Sequence, residues 1–331
     1  MFTRTLVIAT FLATPLLADV NIYSSRQPHL IDPILSAFTE ETGIKTNVVF
    51  IDKGMIERLK AEGARSPADI VLTTDIANLA AIVEAGVTQA VTSETINVNI
   101  PESYRDPAGN WFGLTSRARI VYASVDRVDP ADITTYEDLA DPKWAGKICI
   151  RSGLHNYNIA LLSAVIAHHG EEYAETWMEG IKANLARKPQ GNDRAQIKAI
   201  WAGECDIALG NTYYMGKMLE NEEQIAWADS VNLLFPVIGG NGVHINLSGM
   251  AMTASAPNAD EALQLMEFLT SGTAQELYAE LNYEYPLLDS VAPSELVQGW
   301  GEFTPDSTPL IDIAGHRSEA LKIVETINFD E

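Results

Sequence analysis

Residues 68–73 read Ala68-Asp69-Ile70-Val71-Leu72-Thr73 (ADIVLT), preceded by Pro67 and followed by Thr74-Asp75. A short apolar run bounded by turn-forming residues reads as a strand buried on both faces, as in a parallel sheet covered by helices. After it, Ile76 to Gly86 is apolar at helical spacing. Before it come Val20 to Tyr23 (VNIY), the helical stretch LIDPILSAFTEETG ending at Gly43, the run Ile44 to Ile51 (IKTNVVFI) and a helical stretch from Met55 to Gly63. Strand and helix alternate through the whole segment. That is the start of a doubly wound α/β sheet, whose clefts open at the carboxyl ends of its strands.

A second series follows. Trp111 to Ala123 (WFGLTSRARIVYA) and Lys147 to Arg151 (KICIR) have strand character, and Tyr157 to His169 is apolar at helical spacing. Helical segments are predicted over 170–185 and 195–203, a strand over Cys205 to Gly210 (CDIALG), and a glycine-rich stretch runs into a late strand over Ser248 to Thr253. Helices follow over 260–271 and 273–281. If the late strand returns to the first sheet, the chain forms two lobes crossed more than once, which is the architecture of a hinged ligand trap. The pattern alone fits an ordinary two-domain α/β enzyme equally well.

The first residues, MFTRTLVIATFLATPLLA, place Arg4 before an apolar stretch and small residues before Ala18. This predicts an export signal over residues 1–18, cleaved before Asp19 and too short to span a membrane; a retained anchor is the alternative. No later run reaches the ~18 apolar residues of a spanning helix, so the expected product is a soluble exported protein without membrane insertion. The remaining cysteines, Cys149 and Cys205, read as a disulfide in an oxidising compartment. They lack neighbouring His or Cys to complete a metal site.

The 331 residues suffice for two domains with substantial cores. With 45 acidic against 22 basic residues the formal net charge is -23. A nucleic acid or an anionic membrane is therefore a poor partner, since phosphate-binding surfaces need clustered Lys and Arg. The acidity suits a cationic ligand, and it equally suits plain solubility.

Polar clusters fall at the strand-to-helix junctions: Ser24-Ser25-Arg26-Gln27, Thr73-Thr74-Asp75, Arg117 with Arg119, Arg151-Ser152 through Tyr157, and Asn211-Thr212-Tyr213-Tyr214. They supply tyrosines, arginines and small hydroxyls. There is no GxSxG elbow, P-loop or HExxH, and the six histidines are scattered, His168-His169 having no carboxylate at ligand spacing. No acid or base of tuned pKa stands beside the tyrosines, so an enzyme is not the expected function.

Adjacent residues on a strand point to opposite faces, so Tyr213 and Tyr214 as packing residues would need two apolar sites, whereas a cleft at the strand end would take both. The structural account makes Tyr157, Tyr213 and Tyr214 half-buried aromatics with bonded hydroxyls, and the arginines surface or ion-pair residues. The functional account starts from the phenolate, a hard anionic donor whose reference pKa is about 10, so that only a strongly Lewis-acidic ion displaces its proton at neutral pH. Fe3+ does so. Zn2+ and Cu2+ favour imidazole and thiolate, while Ca2+ and Mg2+ take carboxylates and water. Three phenolates would balance Fe3+, leaving nearby arginines to hold a small bidentate anion such as carbonate.

The stretches YSSRQPHLIDP, SPADIVLTTD, WFGLTSRARIVY, KICIRSGLHNYN, NLARKPQGNDRAQIKAIWAGECDIALGNTYYMGKM and NYEYP run in order along the mature chain. In them the sequence resembles the periplasmic ferric-iron-binding proteins of bacterial ABC importers. The resemblance implies a two-lobed periplasmic-binding-protein (Venus flytrap) fold, each lobe a mixed sheet flanked by helices, joined by two crossing hinge strands. Lobes of residues 19–116 with 242–292 and 117–241 with 293–331 are expected. It further implies Fe3+ in the cleft on Tyr157, Tyr213 and Tyr214, and carbonate or bicarbonate as a synergistic anion at Arg26, Gln27, Arg117 and Ser152. The Cys149–Cys205 pair resembles a disulfide of the same branch. The implied protein is a periplasmic monomer that delivers iron to an ABC permease and is not an enzyme.

One departure concerns the first lobe. Related branches carry SRHY after the first strand, where this chain has Arg26-Gln27-Pro28-His29. Gln27 suits an anion better than a metal. His29 and Asp75 are alternative ligands, with a helix cap the plain role for Asp75, and Tyr23 is expected to pack or to donate behind the site. The alternatives in function are a trap of the same fold for a polyamine, a phosphonate or an organic anion, and an exported two-lobed enzyme.

Overall fold

The computed structural model describes residues 18–331. Its strands are β1 (Val20–Ser24), β2 (Thr46–Phe50), β3 (Ile70–Thr73), β4 (Thr88–Gln89), β5 (Phe112–Ser124), β6 (Ile148–Cys149), β7 (Ile207–Asn211), β8 (Val231–Leu234), β9 (Ile245–Thr253) and β10 (Tyr285–Pro286). The ADIVLT run is the central β3, buried throughout as its apolar composition requires. β1 lies parallel to β2 and to β3, while β9 returns antiparallel beside β3. This mixed arrangement matches the sequence expectation of a late strand joining the first sheet.

Helices α1 (Pro28–Thr42), α2 (Met55–Glu62), α3 (Ile76–Glu84) and α4 (Glu94–Asn99) belong to the first lobe. α1 opens with proline in its first turn, where the missing N–H costs no helical bond, and stops at Gly43, whose φ of 77° few other residues adopt. Asp75 caps α3, its carboxylate accepting from the Asn78 N–H at 2.8 Å.

β5 joins the lobes. All thirteen of its residues are buried, the polar Thr115, Ser116, Arg117 and Arg119 at its middle included. Phe112 to Ala118 pairs with β9 in the first sheet, and Arg119 to Ala123 pairs with β7 in the second. The Arg119 N–H donates to the His244 carbonyl at 3.0 Å, so the chain crosses between lobes at two adjacent points. β10 adds to the first-sheet half of β5 at Thr115 and Ser116, and β8 to the second-sheet half.

The second lobe carries α5 (Asn156–His169), α6 (Glu171–Ala183), α7 (Asp193–Trp201), α8 (Tyr213–Leu219) and α9 (Ile225–Ala228). β6 runs parallel to β7, and the disulfide Cys149–Cys205, with Cα atoms 5.9 Å apart, ties the two strands at their base. The expected strand over 147–151 shrinks to Ile148 and Cys149, because beyond the disulfide the chain turns out to carry Arg151 to His155 towards α5. The remaining helices are α10 (Ala259–Leu269), α11 (Gly272–Asn282), α12 (Glu295–Gln298), α13 (Leu310–Gly315) and α14 (Arg317–Thr326), the last two packing on α5. No described helix is long and apolar enough to cross a membrane. The export signal expected at residues 1–18 lies outside the described residues, apart from Ala18.

Candidate metal centre

β7 ends at Asn211, Thr212 takes helical φ and ψ, and Tyr213 is the first residue of α8. The sequence placed the tyrosine pair at a strand end; the structure places it in the first turn of a short helix. The difference is physical: side chains one apart on a helix are rotated by about 100°, where on a strand they are opposed. The two rings accordingly lie on one side, their centroids 4.4 Å apart.

Tyr157 reaches the same place from α5, of which it is the second residue. Its hydroxyl is 3.0 Å from the Tyr213 hydroxyl, which also accepts from the Asn211 amide at 3.4 Å. The first turn of a fourteen-residue helix favours negative charge on Tyr157. Upstream, His155 caps the helix, its Nδ1 accepting from the Tyr157 N–H, and its ring sits edge-on to the phenol at 4.5 Å. Burial, then Arg151 and Arg119, lower the His155 pKa to about 4, so the ring is neutral and free to accept.

Without a cation Tyr213 and Tyr214 are held protonated. Burial is the first cause of the high pKa of Tyr213, followed by Tyr157 and Tyr214; for Tyr214 it is burial, then Tyr157 and Asp193. Phenols packed this closely cannot ionise together in a half-buried pocket unless a strong positive charge enters between them. That donor set fits a hard trivalent ion.

Two groups of guanidinium surround the phenols. Arg119 and Arg151 lie 5.7 Å and 5.3 Å from the Tyr157 ring centroid. Both are paired with Asp193, which is fully buried: Oδ2 takes Arg119 at 2.6 Å and the Asn211 N–H at 3.0 Å, and Oδ1 takes Arg151 at 3.0 Å. Arg119 also donates to Asn158 at 2.7 Å, and Asn158 in turn donates to the carbonyls of Arg151 and Ser152. One buried carboxylate thus fixes the loop before Tyr157 against the strand end before Tyr213.

The second group is Arg26 and Arg117. Both donate to the Ser248 hydroxyl, and Arg26 also pairs with Glu284 at 2.9 Å, whose other oxygen takes the Thr115 hydroxyl at 2.7 Å. Arg117 has no carboxylate partner among the described residues, and its Nε is buried without a hydrogen bond. Among the described residues Glu284 is the one carboxylate in direct contact with this pair, while buried Asp75 acts on Arg117 only through its field and burial raises its pKa, so the pair keeps a surplus positive charge that an anion would balance. Arg26 and Arg117 both act electrostatically on Tyr213, which places this surplus beside the phenols.

The side chains of the other expected site residues are exposed or bonded elsewhere. The Tyr23 hydroxyl donates to Glu62 at 2.8 Å, on the α2 side of the sheet. His29 and Gln27 are exposed at the start of α1, where Gln27 makes no side-chain cap bond. Asp75 is the cap of α3, and the Ser152 hydroxyl donates to Asp330. Asp193 and Glu284 were not singled out from the sequence. Asp193 follows Asn192 at a helix start and reads there as a cap; Glu284, inside NYEYP, carries no local signal. A surface groove of about 510 Å³ between Tyr104, Trp111 and Thr308 contains none of Tyr157, Tyr213 and Tyr214.

A mixed α/β fold of two sheets crossed by β5, with phenols and arginines gathered beside the crossing, is the architecture of solute-binding proteins. The chain belongs to the bacterial extracellular solute-binding protein family, whose model matches residues 34–305. It is 44% identical over 310 residues to iron uptake protein A1 of Synechocystis sp., covering 92% of this chain and 86% of that one. It superposes on the apo ferric ion-binding protein A of Pasteurella haemolytica with a TM-score of 0.90 at 47% identity, over 95% of this chain and 98% of that one. A Trichodesmium protein in complex with iron and citrate ligands gives 0.89 at 40% identity, over 94% and 99%. The resemblance seen in the sequence is borne out by these relatives, which are named for binding and uptake.

Proposed function

We propose that this protein captures Fe3+ in the cleft between its lobes, through the phenolates of Tyr157, Tyr213 and Tyr214. The observation that carries the reading is the convergence of these phenols, with the Tyr157 and Tyr213 hydroxyls 3.0 Å apart, beside a surplus guanidinium charge. Fe3+ takes up the phenolate charge, and the surplus at Arg26 and Arg117 holds carbonate or bicarbonate as a synergistic anion through charge-assisted hydrogen bonds. The iron-related names of the relatives support the choice of metal.

The lobes of this reading are residues 19–116 with 242–292 and residues 117–241 with 293–331. Closure over the metal is favoured only by contacts that exist in the closed state. The closed monomer then delivers iron in the periplasm to an ABC permease. Gln27 and the Ser152 loop complete the anion pocket only if closure moves them, since the side chain of Ser152 is bonded to Asp330.

The test is optical. Purified protein given ferric salt and bicarbonate develops a visible phenolate-to-iron charge-transfer band, and the Tyr213→Phe, Tyr214→Phe double variant does not. A colourless wild-type protein whose melting temperature ferric salt leaves unchanged would overturn the reading.

A further inference from the structure

Tyr283 closes α11 with a φ of 57°, one of two non-glycine residues with positive φ among the described residues. Such a backbone is unfavourable for a residue with a large side chain and persists only where its surroundings hold it. Its surroundings are α8. The Tyr283 ring lies on Gly216, where an added Cβ would meet the ring Cγ at 2.2 Å, so only glycine fits there while the ring is in place. The Lys217 ammonium stands 5.3 Å from the ring centroid, and the Tyr283 hydroxyl donates to Glu220 at 2.8 Å.

Gly216, Lys217 and Glu220 lie within or at the end of the helix that begins with Tyr213 and Tyr214. Tyr283 ends α11 two residues before β10, which pairs with the first-sheet half of β5, and the next residue, Glu284, pairs with Arg26. Two consecutive residues therefore touch the phenol-bearing helix and Arg26.

We propose that Tyr283 is a positioning residue that couples lobe closure to the seat of the phenol pair. Seated in the Gly216 notch, it fixes the rotation of α8 from the opposite lobe, while Glu284 holds Arg26 over the same cleft. Parting the lobes withdraws the ring and loosens the helix that carries two of the ligands. This rests on the phenolate reading of the site.

The test uses the full mature chain loaded with Fe3+ and bicarbonate, following iron release to a chelator by the visible band and closure by small-angle scattering. Tyr283→Asn removes the ring with a residue that tolerates the left-handed backbone, and Tyr283→Gly serves if that variant fails to fold. The variant is expected to keep the band, release iron about tenfold faster and show a larger radius of gyration, as truncation of a central contact does. Gly216→Ala is expected to do the same. The double variant should lose no more than either single one, because both changes break one contact. Wild-type release and closure in Tyr283→Asn, or losses that simply add, would overturn the coupling and leave the iron site standing. A wild-type protein with no band would overturn the site reading and the coupling with it.

Discussion

The hydroxyls of Tyr157 and Tyr213 stand 3.0 Å apart although their residues open two different helices, α5 and α8. Burial holds the Tyr213 pKa well above 10, so that phenol is protonated in this arrangement. A cation bound there must displace protons. Affinity for Fe3+ therefore rises with pH, by about tenfold per pH unit for each proton released, and falls on acidification. Calorimetric titration in buffers of differing ionisation heat should show one proton released per coordinating phenol. Binding without proton release would mean that the phenols are not ligands.

Removing one phenol at a time separates ligand from support. Tyr157→Phe and Tyr213→Phe should each weaken Fe3+ binding by at least about 100-fold, the upper end of what loss of an outer-shell partner costs. Asn211→Ala, which removes the amide on the Tyr213 hydroxyl together with an acceptor for Arg119, should cost about tenfold. Competition against a chelator measures all three, and equal losses would argue that Tyr213 acts through its surroundings.

Asp193 has a structural role that can be measured without metal. Its side chain is fully buried between Arg119 and Arg151, so Asp193→Ala strands two guanidiniums in the interior. Breaking a buried pair in this way costs about 3–5 kcal/mol. Urea unfolding should show the loss in the iron-free protein, with Asp193→Asn milder because it still accepts hydrogen bonds. A midpoint within about 0.5 kcal/mol of wild type would show that solvent reaches the arginines.

Legibility in the sequence followed the range of the interactions. ADIVLT announced a buried central strand because its composition records burial directly, and CDIALGNTYY announced a strand ending in phenols. The long β5 was visible as strand character over WFGLTSRARIVYA, and that it serves both sheets depends on pairing with β9 and β7, strands more than 80 residues away in sequence. Glu284 illustrates the limit: its partners Arg26 and Thr115 lie 258 and 169 positions away, and nothing beside it in NYEYP hints at either. Tyr23, on the strand that leads to Arg26, packs in the core as one of the two roles expected of it, and its hydroxyl donates to Glu62.

The disulfide should hold the base of the site together. It joins residues 56 positions apart, so the chain-entropy model gives it ~4 kcal/mol of stabilisation. Cys149→Ser with Cys205→Ser, or reductant on the wild type, is expected to lower the unfolding midpoint accordingly. An unchanged midpoint under full reduction would show that packing of β6 on β7 alone sets the stability.

His244 gives the iron-free protein a second acid sensitivity, distinct from that of the phenols. It lies where the chain crosses between lobes, buried, with Nδ1 lacking a hydrogen bond. Burial is the main reason its pKa falls from 6.5 to about 4, with Asp306 acting in the opposite direction. The unfolded chain therefore binds a proton more readily than the folded one between those values. Stability from the neutral ring is complete above pH 6.5 and is lost as pH falls towards 4, by about 3 kcal/mol at most. Urea unfolding at a series of pH values should show this slope, and His244→Gln, which carries no titrating ring, should flatten it. An equal slope in the variant would assign the acid sensitivity to other groups.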